Sequence, residues 1–181
     1  MTKTNLAKNL KEAYRNSNIV PMINIYNLQR DKSDLNYQEE ALKAVVKLIE
    51  VRVDIEQIFT DYEDVLSLAK ASGGHVRQLM QMMRTAITSA NAKGNPKIDS
   101  EDVQTAIKQV QFDFERVIPD EHYSHLVNVY LNKEINNNQI GQVMLFNTSA
   151  LEYNGNERWN YINPVIKSIQ AFKQVLENVR N

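Results

Sequence analysis

Four successive stretches between residues 37 and 116 place an apolar residue at every third or fourth position. No other feature restricts the fold as much. A segment with this period coils into a helix carrying one apolar stripe, and that stripe must be buried against another element. Residues 37–52 put Ala41, Leu42, Val45, Val46 and Ile49 on such a stripe. After the bridging piece RVDIEQIF, Asp61 can cap a helix carrying Val65, Leu66 and Leu68, which ends at Gly73 and Gly74. The clearest helix covers 75–92, with Val76, Leu79, Met80, Met83, Ile87 and Ala90 in period, and Gly94 and Pro96 close it. Met82 falls off this stripe, which suits an interface. Asp99 or Ser100 then caps a helix whose buried face is Val103, Ala106, Ile107, Val110 and Phe114.

The flanking segments read differently. Leu6, Leu10 and Tyr14 make residues 5–15 a short amphipathic helix. Ile19, Val20, Met22, Ile23 and Ile25 form a branched apolar run that predicts a buried strand, and Pro21 bars it from full pairing on both sides. Beyond Val117–Pro119 come a helix with Tyr123, Leu126, Val127 and Tyr130, and a short helix with Ile140, Val143, Met144 and Phe146. In ALEYNGNERWNY, Leu151 and Tyr153 alternate, NGN turns, and Trp159 and Tyr161 alternate back, a hairpin pattern. Pro164 opens a last helix with Val165, Ile169, Phe172 and Leu176 in one stripe. The expected fold is mainly α: a helical bundle over 31–116, then a winged-helix-like module with one β-hairpin over 117–181. The helix and strand within 1–30 belong to neither.

Composition narrows the function classes. The chain has 181 residues with a formal net charge of -1, so it has no general attraction to nucleic acid or acidic membranes. It has no cysteine, which excludes disulfides and thiolate metal sites. No apolar run approaches the ~18 residues a membrane span requires. The first residues, MTKTNLAKNLKEAY, lack the apolar centre of a secretory signal, so a cytoplasmic location is expected.

The stretch KASGGHVRQLM is chemically unusual. His75 and Arg77 fall in the first turn of a helix, where the dipole and the free N–H groups favour an anion over a cation. Ser72, Gly73 and Gly74 precede them, and small residues allow close approach to those N–H groups. An arginine there can offer a fork to a phosphate; the alternatives are a nearby carboxylate partner or plain exposure to water.

SGGHVRQLM resembles the sensor-2 region of AAA+ and STAND-type P-loop ATPases, where an sGG-x-x-R helix belongs to the helical lid and its arginine reaches the nucleotide phosphates. VPMINIYNLQ is similar to the last core strand before that lid. ALKAVVKLIEVRVDIEQIF is similar to the first lid helix with its trailing arginine, here Arg52, and KIDSEDVQTAI to the last lid helix. ALEYNGNERWNYINPVI resembles the ending of a bacterial branch of these enzymes. The resemblance covers most of residues 19–167. It implies that 1–30 is a remnant of the ATPase core and that 31–116 is a helical lid-like subdomain. It assigns nucleotide sensing to Arg77, His75, Gly73 and Gly74, with the two glycines as hinges. The lid's partner would be a P-loop ATPase core in cis or in trans, and the intact ATPase would use ATP and Mg²⁺.

The departures are equally informative. The five glycines are Gly73, Gly74, Gly94, Gly141 and Gly155, and none forms G-x-x-x-x-G-K-[ST]. No apolar strand ends in paired acids suited to Mg²⁺. The expectation is therefore a non-catalytic C-terminal lid and interaction module, without a cofactor of its own.

Other chemistries have less support. His122 and His125, beside Asp120 and Glu121, could share two metal ligands on a helix face, but a site needs three or four. No serine sits in a G-x-S-x-G elbow, and Ser72 reads as a cap. A winged-helix DNA-binding regulator is the second reading. Asn136, Asn137, Asn138, Gln139 and Gln142 of the candidate recognition helix could read base edges. That helix has no Lys or Arg, which leaves Arg158, Lys167 and Lys173 as possible phosphate contacts. The third reading is a protein-interaction adaptor with an open strand edge at 19–28 that would invite self-association as a dimer or a strand from a protein partner. Tyr153, Trp159 and Tyr161 read as core under the last helix, or else as a partner surface.

Overall fold

The computed structural model describes residues 22–180. The helical period becomes five helices: α1 (Glu39–Glu50), the single turn α2 (Ile55–Ile58), α3 (Tyr62–Ala71), α4 (Val76–Lys93) and α5 (Ser100–Val117). There follow α6 (His122–Asn132), α7 (Gln139–Phe146), strands β1 (Ala150–Asn154) and β2 (Arg158–Ile162), a 3-10 turn (Pro164–Ser168) and α8 (Gln170–Arg180). The described chain is mainly helical with one two-stranded antiparallel sheet. The expected helix at 5–15 and residues 19–21 of the expected strand lie outside the described residues.

The local signals set the boundaries. The Asp61 carboxylate accepts from the Glu63 N–H at 2.9 Å and starts α3. Gly94 closes α4 at φ 74, with Asn95 N–H donating to the Ala90 carbonyl at 2.9 Å. Asp99 and Asp102 cap α5 reciprocally. α4 and α5 pack against each other as the central pair, with α3 against both. α6 packs on α8 and β2, and α7 on β1. The buried side chains form a single cluster that runs from Ile25 to Phe172.

Three expectations change here. First, residues 22–28 form no regular strand. Met22 bridges Tyr153, while Tyr26 bridges Tyr37, so the segment touches two different elements and builds a ladder with neither. Its edge is not open. Met22 N–H donates to the Glu152 carbonyl and Ile23 N–H to the Gly74 carbonyl, while the Ile25 carbonyl accepts from Gln38 N–H. Second, Pro164 opens a 3-10 turn rather than α8, because Ile169 is extended and separates the two. Third, the buried face of α4 is Gln78, Leu79, Met82, Met83, Ala86 and Ala90. Met82 is fully buried, whereas Val76 and Ile87 are over a third exposed. The helix carries two overlapping apolar stripes, and the one holding Met82 faces the core.

The expected hairpin forms, with Leu151 opposite Tyr161 and Tyr153 opposite Trp159. Both of its faces are buried, Glu152 and Asn160 included. Tyr153, Trp159 and Tyr161 are core, and Tyr26 stands edge-on to all three. The buried amide of Asn163 pairs with that of Gln78, donating to Oε1 at 2.7 Å, and so ties the 3-10 turn to α4.

Candidate functional site

The site predicted around Arg77 begins where α3 stops. Ser72 is buried there, its hydroxyl donating to the Ala69 carbonyl and accepting from the Gly74 N–H. Gly73 and Gly74 take φ 59 and 79. A Cβ on Gly73 would lie 2.6 Å from Leu151 Cδ1 and 2.9 Å from Pro164 Cδ, and one on Gly74 would lie 2.0 Å from the Ile23 carbonyl oxygen. Tyr153 adds a hydroxyl hydrogen bond to the Gly73 carbonyl at 2.6 Å. The glycines are therefore required by the chain's own hairpin, 3-10 turn and residue 23. On the side a Cβ would occupy, both glycines are covered by the chain itself.

The first turn of α4 is open on its other side. His75 is the N-cap and makes no side-chain cap hydrogen bond, and the first turn has no acidic residue. The N–H groups of Val76, Arg77 and Gln78 have no acceptor among the described residues. Arg77 is exposed and makes no ion pair among them. Arg77, His75, Gln78 and Gln81 line one wall of a cleft of about 320 Å³. Asp113, Phe114 and Val117 of α5 form the opposite wall, and Phe146 to Thr148 close the end. Phe146 is 78% exposed and Val117 55%, so the rim is apolar. Burial pushes the His75 imidazole below its usual range, and the adjacent Arg77 charge adds to this, against the opposing influence of the Gln78 side chain. Its Nδ1 is buried without a partner.

This arrangement suits one anion contact, a guanidinium beside unpaired N–H groups. The described residues contain no group of three His, Asp or Glu placed for a metal ion, and Asp113 faces the same cleft.

The other predicted cations lie apart from this cleft. Arg158 begins β2, its Nε 3.8 Å from Glu152. Lys167 is engaged, its Nζ 2.6 Å from Asp34 and over the Tyr130 and Tyr161 rings. Lys173 is exposed on α8. Of the two histidines considered as ligands, His122 is buried rather than at the surface.

Sequence reasoning missed Lys133. It caps α6 in the left-handed region at φ 62 and is fully buried. Its ammonium donates to the Tyr130 carbonyl and, at 3.2 Å, to the Ser33 carbonyl, and lies 5.0 Å from the Tyr161 ring centre. Burial, with repulsion from Lys167 and against the pull of Asp34, pushes it down to about 8. Tyr161 donates to the same Ser33 carbonyl at 2.7 Å. Lysine reads as an exposed residue, and nothing local in the sequence marks this one.

No family model, curated protein or solved structure matches the chain. No helix among the described residues is long and apolar enough to cross a membrane.

Proposed function

We propose that this chain is a non-catalytic lid and interaction module of a bacterial AAA+ or STAND-type P-loop ATPase, in which Arg77 senses nucleotide. The observation that carries the reading is the first turn of α4: among the described residues, an arginine without an ion-pair partner and three N–H groups without acceptors, together at one cleft. In the intact ATPase the core supplies the phosphate cradle and the metal site. Arg77 supplies one contact to a phosphate oxygen. The buried Gln78–Asn163 amide pair and the Gly73–Tyr153 hydrogen bond then link that turn to a winged-helix-like C-terminal region. The glycines act as packed pivots in this reading, with Leu151, Pro164 and Ile23 against them.

Calorimetric titration with ATP tests it, first on the chain alone and then on the chain mixed with a separately produced P-loop core. The expected result is no tight binding alone, and binding in the mixture that Arg77→Ala weakens. ATP hydrolysis by the chain alone that Arg77→Ala abolishes would overturn the reading. So would binding in the mixture that ignores Arg77. The DNA-regulator reading loses ground because Lys167 is already paired with Asp34, and the helix offered for recognition has no cation.

A further inference from the structure

α4 has a second apolar face that the fold covers only in part. Leu79, Met82, Ala86 and Ala90 are in the core. Met80 and Ile87 border a groove of about 270 Å³, floored by the buried Met83 and Ile49 and edged by Val53 just past α1. Ile87 is 39% exposed there. Two exposed arginines, Arg52 and Arg84, line the same groove. Among the described residues neither makes an ion pair, and α4 has no Asp or Glu along its 18 residues. Arg52 does donate to the Leu48 carbonyl at 2.5 Å through one guanidinium nitrogen, which leaves the rest of its fork available.

We propose that this groove docks an acidic amphipathic helix of a partner protein. The apolar floor accepts aliphatic or aromatic side chains repeating at three and four positions, the pattern of a helix laid in a groove. Methionine suits such a floor because its unbranched thioether adapts to the shape that enters. The arginines at the groove take carboxylates from the flanks of the incoming helix, with the two-pronged geometry that guanidinium and carboxylate share. A nucleic-acid backbone would meet the same cations, but it has nothing to offer Met80, Met83, Ile49 and Ile87. The charge and the apolar floor together favour the peptide. This proposal does not rest on nucleotide sensing, since neither Arg77 nor its cleft takes part.

The test uses the full chain carrying ¹³C on its methionine methyl groups. Three probes are titrated in: a synthetic amphipathic helix with leucines on one face and glutamates on its flanks, the same peptide with lysines for the glutamates, and a short DNA duplex. The acidic peptide should shift the Met80 and Met83 methyl signals and leave Met144, buried beside the hairpin, unmoved. The double variant Arg52→Glu with Arg84→Glu should weaken that binding about tenfold and make the lysine peptide the better ligand. Both substitutions are at exposed positions, and the peptide charge swap on the unaltered chain tests the same point without any substitution. Equal binding of the two peptides would overturn the proposal. Shifts at Met80 and Met83 with DNA alone, or no binding by either peptide, would also overturn it.

Discussion

α4 and α5 are both 18-residue helices and they pack together, yet their first turns are built on opposite plans. α5 begins with Asp99 and Asp102 in a closed exchange: Asp99 accepts from the Asp102 N–H at 3.0 Å, and Asp102 from the Asp99 N–H at 3.2 Å. Ser89 and Lys93 of α4 then bind the buried Asp102 carboxylate at 2.7 and 3.0 Å. The cap residue and the third residue of that turn are thus satisfied inside the molecule. α4 begins with a histidine that caps nothing and an arginine of the wrong sign for the dipole. The two helices are matched in length and packing. The difference between their starts is therefore one of local chemistry: α5 has a reciprocal acidic cap and α4 has none.

The contrast can be broken most violently at the turn before α4. Gly74→Ala should cost more than about 3 kcal/mol, because a Cβ there would meet backbone rather than a movable side chain. The control is Gly94→Ala at the other end of the helix, where φ is 74 and nothing lies within 4 Å. That change should cost only about 1 kcal/mol, as conformational strain alone. Urea unfolding midpoints at constant slope distinguish the two.

Removing the satisfied start is next in size. Asp102→Ala deletes one half of the capping exchange and leaves Ser89 and Lys93 without their shared acceptor, which should cost about 2–4 kcal/mol. Burial alone would raise the Asp102 carboxyl. The hydrogen bonds from Ser89, Lys93 and the Asp99 N–H outweigh it and hold the group at about 2, below its ordinary 3.8. A lowered folded value means stability that is present above the unfolded value and lost as pH falls through the folded one. The unfolding midpoint of the native chain should thus drop between about pH 4 and pH 2, and Asp102→Ala should flatten that drop.

The smallest change sharpens the contrast most. Arg77→Glu gives α4 the acidic first turn that α5 already has, and should raise stability by about 0.3–1 kcal/mol. A gain in thermal midpoint combined with a lost nucleotide response in the mixture would show that the native arginine is kept against the interest of the fold. A stability loss would mean that Arg77 is structural.

These comparisons show why some features could be read from the residues alone. The caps Asp61 and Asp99, the stop at Gly94 and the alternation around NGN are short-range signals, and each appears where the local chemistry put it. The choice between two apolar stripes on α4 is not local. Val76, Met80 and Ile87 fit the helical period as well as Leu79, Met82, Ala86 and Ala90 do, and only the positions of the neighbouring helices decide which are buried. The glycines before α4 were recognisable as a break. That their neighbours are Leu151, Pro164 and Ile23 is a long-range fact. The cleft residues His75 and Arg77 were recognisable because they violate a local rule. Asp113 and Phe146 opposite them violate none, so nothing marked them in advance.

The loop at Ser33 and Asp34 has a consequence in time. Its partners are Lys133, Tyr161 and Lys167, which follow it in the chain by 100, 128 and 133 positions. A ribosome delivers the loop early and the residues that complete it very late. The Ser33 carbonyl and the Lys133 ammonium cannot meet until the 100 positions between them have been made. The loop is thus made well before the residues that fasten it, and a chain stopped anywhere before residue 133 cannot close it.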